Sequence, residues 1–186
     1  MYFKDILICI LGESGSGKST IIELIKNERG YNYIKSYTTR KPRHNNDDTH
    51  IFVDRDKLDE SIFTSKDILA FTEFDGEYYW AMKEQFRGKG VSLYIVDVKG
   101  YKDVLDNTIT DGVVVVGIYL KVDKEVRVDR MVKERGLERA LSRIKHDSDK
   151  FNVVPCNYVV DANRPILDVY RDVLDIIDKY VICGGE

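Results

Sequence analysis

The run Gly12-Glu13-Ser14-Gly15-Ser16-Gly17-Lys18-Ser19 fits the pattern G-x-x-x-x-G-K-[ST] at every fixed position. These residue types suit one task, gripping a polyphosphate. Glycines let the main chain curl so that successive N–H groups point at one anion. A helix starting at Lys18 adds the partial positive charge of its N-terminus. Lys18 reaches phosphate oxygens as a mobile point charge, and Ser19 offers its hydroxyl to Mg²⁺, with Thr20 completing the set. The plain alternative is a glycine-rich turn that binds nothing. Context opposes it, because an apolar run precedes the turn and a helical pattern follows it. The pattern predicts nucleotide binding and leaves the fate of the nucleotide open, since switches, motors and kinases share it.

A second set of residues suits a smaller phosphate compound. Arg40 and Arg43 flank a proline that stiffens their segment. Two guanidinium forks held close together can clamp a phosphate bidentately. Ser36 and Tyr79 can donate hydroxyl hydrogen bonds to that phosphate or to a base. The alternative here is a solvated basic loop. Further on, Lys124 to Lys150 is highly charged and helix-favouring, with Arg127, Arg130, Arg135, Arg139 and Arg143 in it. Asp97 closes an apolar strand on the side where open α/β sheets bind ligands. It can equally cap the turn before Gly100.

The elements that must position these groups follow from hydrophobic patterning. Ile6 to Leu11 is a continuous apolar run, as expected of a strand buried on both faces. Ile21, Ile22, Leu24 and Ile25 carry a helical pattern that stops near Gly30. Val91–Asp97, Val113–Leu120 and Asn157–Val160 read as further core strands. Ile166 to Val181 carries the clearest helical face. Strands alternating with helices imply a parallel sheet with helices on both faces. From about Tyr33 to Arg87, short aromatic-rich and Thr-rich pieces alternate with turn formers such as Asp75-Gly76, which reads as a small, partly β insertion. Within it, Lys57–Phe63 and Ser65–Leu69 read as short helices.

Composition narrows the function classes. Hydrophobic residues make up 43% of the 186, enough for a real core in one domain with small insertions. The formal charge of −3 excludes a bulk basic surface, so nucleic-acid binding through a broad positive face is not expected. Cys9, Cys156 and Cys183 match no metal spacing and read as reduced thiols. No apolar stretch approaches a membrane span, and no signal-peptide pattern opens the chain. A soluble, cytoplasmic protein, monomeric or homodimeric, is the expectation.

Ser36-Tyr37-Thr38-Thr39-Arg40-Lys41-Pro42-Arg43 resembles the S-x-T-T-R-x-P-R signature of guanylate kinases. Phe71 to Tyr79 is similar to that family's segment ending G-x-Y-Y-G, and Ile95-Val96-Asp97-Val98-Lys99-Gly100 to its D-x-D-x-Q-G strand end. Glu134-Arg135-Gly136 and Arg143 resemble the arginines of its lid. The resemblance implies an α/β fold of the P-loop NTPase type with a core of residues 1–33, 88–123 and 151–186. It implies a mixed α/β insertion at 34–87 that binds a nucleoside monophosphate, and a helical lid at 124–150. It implies transfer of the γ-phosphate of ATP to GMP or dGMP with Mg²⁺. Lys18, Arg43, Arg135 and Arg143 would be catalytic, and Ser36, Arg40, Arg43, His50, Tyr79 and Asp97 would bind the acceptor. Asp97 would either hold Mg²⁺ through water, beside Ser19, or accept hydrogen bonds from guanine. Asn163 is the candidate contact to adenine.

The sequence departs from the family at three places. His50 stands where relatives usually carry a tyrosine. Ala70 replaces a glutamate that reads guanine, with Glu73 three residues on. Trp80 and Ala81 replace a glycine and a hydroxyl residue; Trp80 either stacks on a base or packs the insertion. Two other readings therefore stand beside the first. One is a kinase of a different nucleotide or of a sugar phosphate. The other is a catalytically lapsed member that binds protein partners, against which the intact Gly12–Ser19 loop argues.

Overall fold

Ile6–Leu11 forms strand β1 and is buried at every position, as a continuous apolar run requires. The computed structural model describes residues 4–147 and 151–183, apart from the side chains of residues 134, 135, 139, 142, 145, 146 and 183. The phosphate-binding pattern follows β1 and runs into helix α1 (Lys18–Arg29). This helix ends at Gly30, whose φ of 65° lets its N–H return to the Lys26 carbonyl at 2.9 Å. β2 (Asn32–Ile34) then joins the sheet.

The insertion contributes β3 (Tyr37–Thr38), β4 (Ile51–Phe52), β5 (Ile68–Phe74) and β6 (Glu77–Met82). The chain returns to the core with β7 (Val91–Ile95), α2 (Val98–Thr108) and β8 (Val114–Lys121). It continues through α3 (Lys124–Arg135) and α4 (Leu137–Asp147) to β9 (Tyr158–Asp161) and α5 (Ile166–Cys183). The main sheet has the order β2-β7-β1-β8-β9, and all its pairings are parallel. One face packs on α1 and α5 through Ile21, Ile25, Val173 and Ile177. The other packs on α2 through Tyr101 and Val104, and on the insertion through Leu69, Ala81 and Phe86. The fold class expected from the sequence is the one observed.

The second sheet has the order β4-β3-β6-β5. Asp75 and Gly76, with φ of 53° and 73°, form the turn of the β5–β6 hairpin. Two details differ from the reading of the sequence. Ser65–Leu69 is not helical: Ile68 starts β5, because Ile68, Leu69 and Ala70 are buried against Ala81 and Met82. The helical turns of the insertion are short 3-10 pieces at Arg55–Lys57, Glu60–Thr64 and Lys83–Gln85. The core sheet also has a strand the pattern did not show, β2, in which only Ile34 is fully buried. In the charged segment, Gly136 with φ 82° separates α3 from α4, which share a small core of Met131, Ala140 and Ile144.

Candidate active site

The phosphate turn leaves the sheet at the carboxyl end of β1, beside the end of β7. A side chain at Gly12 would place its Cβ 2.5 Å from Ser16 Oγ, and one at Gly15 would meet the Arg127 carbonyl at 3.0 Å. Glycine is therefore required at both positions by close approach. Lys18 Nζ donates to the carbonyl oxygens of Gly12 at 2.7 Å and Glu13 at 3.0 Å. Its ammonium is thus held over the turn. Ser19 and Thr20 are exposed in the first turn of α1. These residues fit a nucleotide polyphosphate with Mg²⁺.

Across from the turn, Asp47 organises the Arg40–Arg43 segment. Its Oδ2 takes Arg40 Nη2 at 3.3 Å and the Arg43 main-chain N–H at 3.0 Å; its Oδ1 takes the Thr49 hydroxyl at 2.6 Å. Arg40 Nη1 donates to the Lys41 carbonyl at 2.8 Å, and the guanidinium lies 5.2 Å from the centre of the Phe52 ring. Its Nε is buried without a hydrogen-bond partner. His50 sits edge-on to Tyr79, with ring centres 5.6 Å apart. Burial first, then the charges of Arg40 and Arg43, push its pKa down to about 4.

Ser36, Ala70, Thr72, Tyr94 and Asp97 line another part of the site. Ser36 Oγ lies 3.2 Å from the Tyr94 hydroxyl, and burial raises that phenol's pKa. Asp97 caps α2, its Oδ1 accepting the Gly100 N–H at 2.7 Å. The capping role and a place in the cavity wall therefore coincide in one residue.

The charged segment closes the third side. Arg143 projects from α4, with its guanidinium 5.2 Å from the Phe74 ring centre. Asp147, the last residue of α4, takes the Ser14 N–H at 2.6 Å. Behind the turn, Arg127 Nη2 meets Glu13 Oε1 at 3.3 Å, and the Tyr119 hydroxyl donates to Glu13 Oε2 at 2.8 Å. The Glu13 side chain is thus turned into the protein, where it braces the loop.

One cavity of about 270 Å³ joins these groups. Of the residues singled out in the sequence, it brings together Gly12, Ser14, Lys18, Ser36, Arg40, Arg43, His50, Tyr79, Asp97 and Arg143. Glu13, Gly15, Ser16, Gly17, Ser19, Thr20 and Asn163 are not in its wall. Asn163 is exposed; its Oδ1 accepts the Asp123 N–H at 2.9 Å and its Nδ2 donates to Asp161 at 2.9 Å. The side chains of Arg135 and Arg139 lie outside the described residues.

The family model for guanylate kinase matches residues 4–180. The chain belongs to the guanylate kinase family. It is 28% identical over 186 residues to a guanylate kinase of Clostridium tetani, covering 96% of this chain and 86% of that one. A guanylate kinase of Fusobacterium nucleatum is 25% identical over 180 residues, covering 89% of this chain and 96% of its own. A crystal structure of guanylate kinase from Anaplasma phagocytophilum shares the fold, with a TM-score of 0.60 at 17% identity, covering 97% of this chain and 88% of that one. No described helix is long and apolar enough to cross a membrane.

Within this guanylate kinase fold, the departures now have places. Ala70 is buried in the cavity wall, with Ala81 opposite it across the strand pair. Glu73 is exposed and pairs with Tyr78, so it does not replace the missing carboxylate. Trp80 packs the insertion: it stacks on Tyr37 at 5.4 Å and meets Phe63 edge-on. Asp47 and Asp147 were not singled out in the sequence as shaping the site, and Glu13 was named there as a member of the phosphate turn without its inward side-chain contacts. Asp47-x-Thr49, an Asp with a hydroxyl two residues on, was the available signal for the first. The last two depend on contacts more than a hundred residues apart in sequence.

Proposed function

We propose that this chain transfers the γ-phosphate of ATP to GMP or dGMP, giving ADP and the nucleoside diphosphate. The carrying observation is that the phosphate turn and the Arg40–Arg43 segment open into a single cavity. Phosphoryl transfer asks mainly for positioning and charge neutralisation, and both are supported here. Main-chain N–H groups of the turn and Lys18 hold the donor phosphates. Ser19 would hold Mg²⁺, which would supply positive charge against the phosphates. Arg40 and Arg43, with Ser36 and Tyr79, grip the acceptor phosphate, while the neutral His50 packs beside Tyr79. Asp97 faces the acceptor base, since Asp97 and Asp147 are the acids among the described residues lining the cavity. Arg143 and Arg135 stabilise the charge in transfer, and the exposed Asn163 serves the adenine end. Residues 34–87 act as the acceptor-binding insertion and 124–150 as the lid, which excludes water as it closes. ATP as donor suits a cytoplasmic enzyme, monomeric or homodimeric.

ADP release measured with GMP, dGMP, IMP, AMP, dTMP and ribose phosphates tests this reading. GMP or dGMP should be the fastest acceptor. One observation favours a second reading, a kinase of another acceptor: Ala70 presents a methyl group to the cavity. A different fastest acceptor selects that reading, and no turnover with any of them overturns both.

A further inference from the structure

The end of α4 reaches into the phosphate turn. Asp147 is 7% exposed, and its Oδ2 accepts the Ser14 main-chain N–H at 2.6 Å, in the wall shared with Gly12 and Lys18. A carboxylate oxygen and a phosphate oxygen are equivalent partners for such an N–H, both anionic acceptors. They repel one another, so one donor does not serve both at this distance.

A second seat for the carboxylate lies beside the first. Arg127 is 6% exposed, and its Nη2 is engaged by Glu13. Its Nε and Nη1 are buried without a hydrogen-bond partner. Nη1 stands 4.0 Å from Asp147 Oδ2, beyond hydrogen-bonding distance. Burying guanidinium N–H groups without an acceptor is unfavourable, so this arginine favours one more anionic neighbour. Glu13 is already fixed by the Tyr119 hydroxyl.

We propose that Asp147 is a phosphate-displaced latch between the charged helices and the turn. It holds the Ser14 N–H until a phosphate group of the donor takes that N–H, and it then moves onto Arg127. Asp147 and Arg143 are four residues apart on α4 and line the same cavity. Seating the phosphate therefore repositions Arg143, so donor binding sets the charge that serves the transfer. This inference rests on the kinase reading above.

The test is isothermal titration of the full chain with ATP and with adenosine, without acceptor, for wild type and Asp147→Asn. The substitution keeps the shape and removes the competing charge. ATP should bind roughly tenfold more tightly, the range of one charge-assisted hydrogen bond, while adenosine affinity stays unchanged. In turnover, KM for ATP and kcat should both fall, because Arg143 is no longer moved by phosphate. A purely structural Asp147 would shift melting temperature and leave the ATP-to-adenosine affinity ratio alone. Equal or weaker ATP binding by Asp147→Asn overturns the proposal, the weaker case pointing to Asp147 as a partner of bound Mg²⁺. If that variant does not fold, Arg127→Lys decides: loss of the second seat should weaken ATP binding severalfold, and unchanged affinity overturns the latch. Failure of wild type to bind ATP would instead sink the kinase reading itself.

Discussion

Arg40 Nη2 lies 3.3 Å from Asp47 Oδ2, and the two side chains are 15% and 1% exposed. The same carboxylate fixes the backbone of Arg43, so one acid sets both arginines of the segment. Hydrogen bonds from the Thr49 hydroxyl and then the Arg43 N–H hold its carboxyl well below the usual carboxylate range. Asp47→Asn should raise KM for the acceptor by roughly tenfold and leave KM for ATP unchanged. Because the folded pKa is depressed, the stability Asp47 contributes is present above the unfolded value of about 4 and lost as pH falls below it. The gap between the urea midpoints of wild type and variant should therefore hold from pH 7 down to about pH 4 and narrow as pH falls further.

Asp97 caps α2 and lines the cavity. Asp97→Asn keeps a capping oxygen, so the fold should hold. Hydrogen bonds from a guanine N1–H and amino group would lose a charged acceptor, at about 1–3 kcal/mol. Acceptor competition assays should show GMP losing one to two orders of magnitude in kcat/KM while IMP, which has no amino group, loses less.

Lys18 sits with its ammonium on main-chain carbonyls and contributes little to the core. Lys18→Ala should lower kcat by at least roughly a hundredfold, as loss of one preorganised charge donor does. Thermal melting should stay near wild type. Turnover within a few-fold of wild type would contradict its role at the transferring phosphate.

His50 is held neutral at pH 7 by burial and its arginine neighbours, with a folded pKa of about 4. The unfolded value is about 6.5. Between the two, the unfolded chain binds the proton more readily, so stability is complete above pH 6.5 and falls as pH drops toward 4. His50→Gln should flatten that part of the urea-midpoint profile. An identical slope in both proteins would show that other groups carry it.

The strand, turn and helix at the N-terminus were legible because each signal is local: an apolar run, a fixed glycine spacing and a stop at Gly30. The turn at Asp75-Gly76 was legible for the same reason, since a left-handed pair of residues selects its own turn, while the hairpin it joins was seen only in the structure. β2 was not, because Asn32 and Tyr33 at the sheet edge carry no strand pattern; Asn32 instead bonds the Gln85 carbonyl and Ser92. Ser65–Leu69 misled because its two apolar residues, Ile68 and Leu69, do not distinguish helix from strand until their partners, Ala81 and Met82, are known. The role of Trp80 was open for a similar reason: an indole suits a base and an aromatic core equally, and its contacts with Tyr37 and Phe63 decided it.

By itself, the sequence determined that a phosphate-gripping turn leads into a helix, that a stiffened pair of arginines follows, and that the layers are α/β. Those properties follow from residue type and spacing along a few adjacent positions. Only the tertiary structure decided that both groups open into one cavity, and that Glu13 points inward to Tyr119 and Arg127 while Asp147 touches Ser14. Those contacts join segments far apart in the chain, and their geometry is set by how helices and sheets pack, which no local pattern encodes.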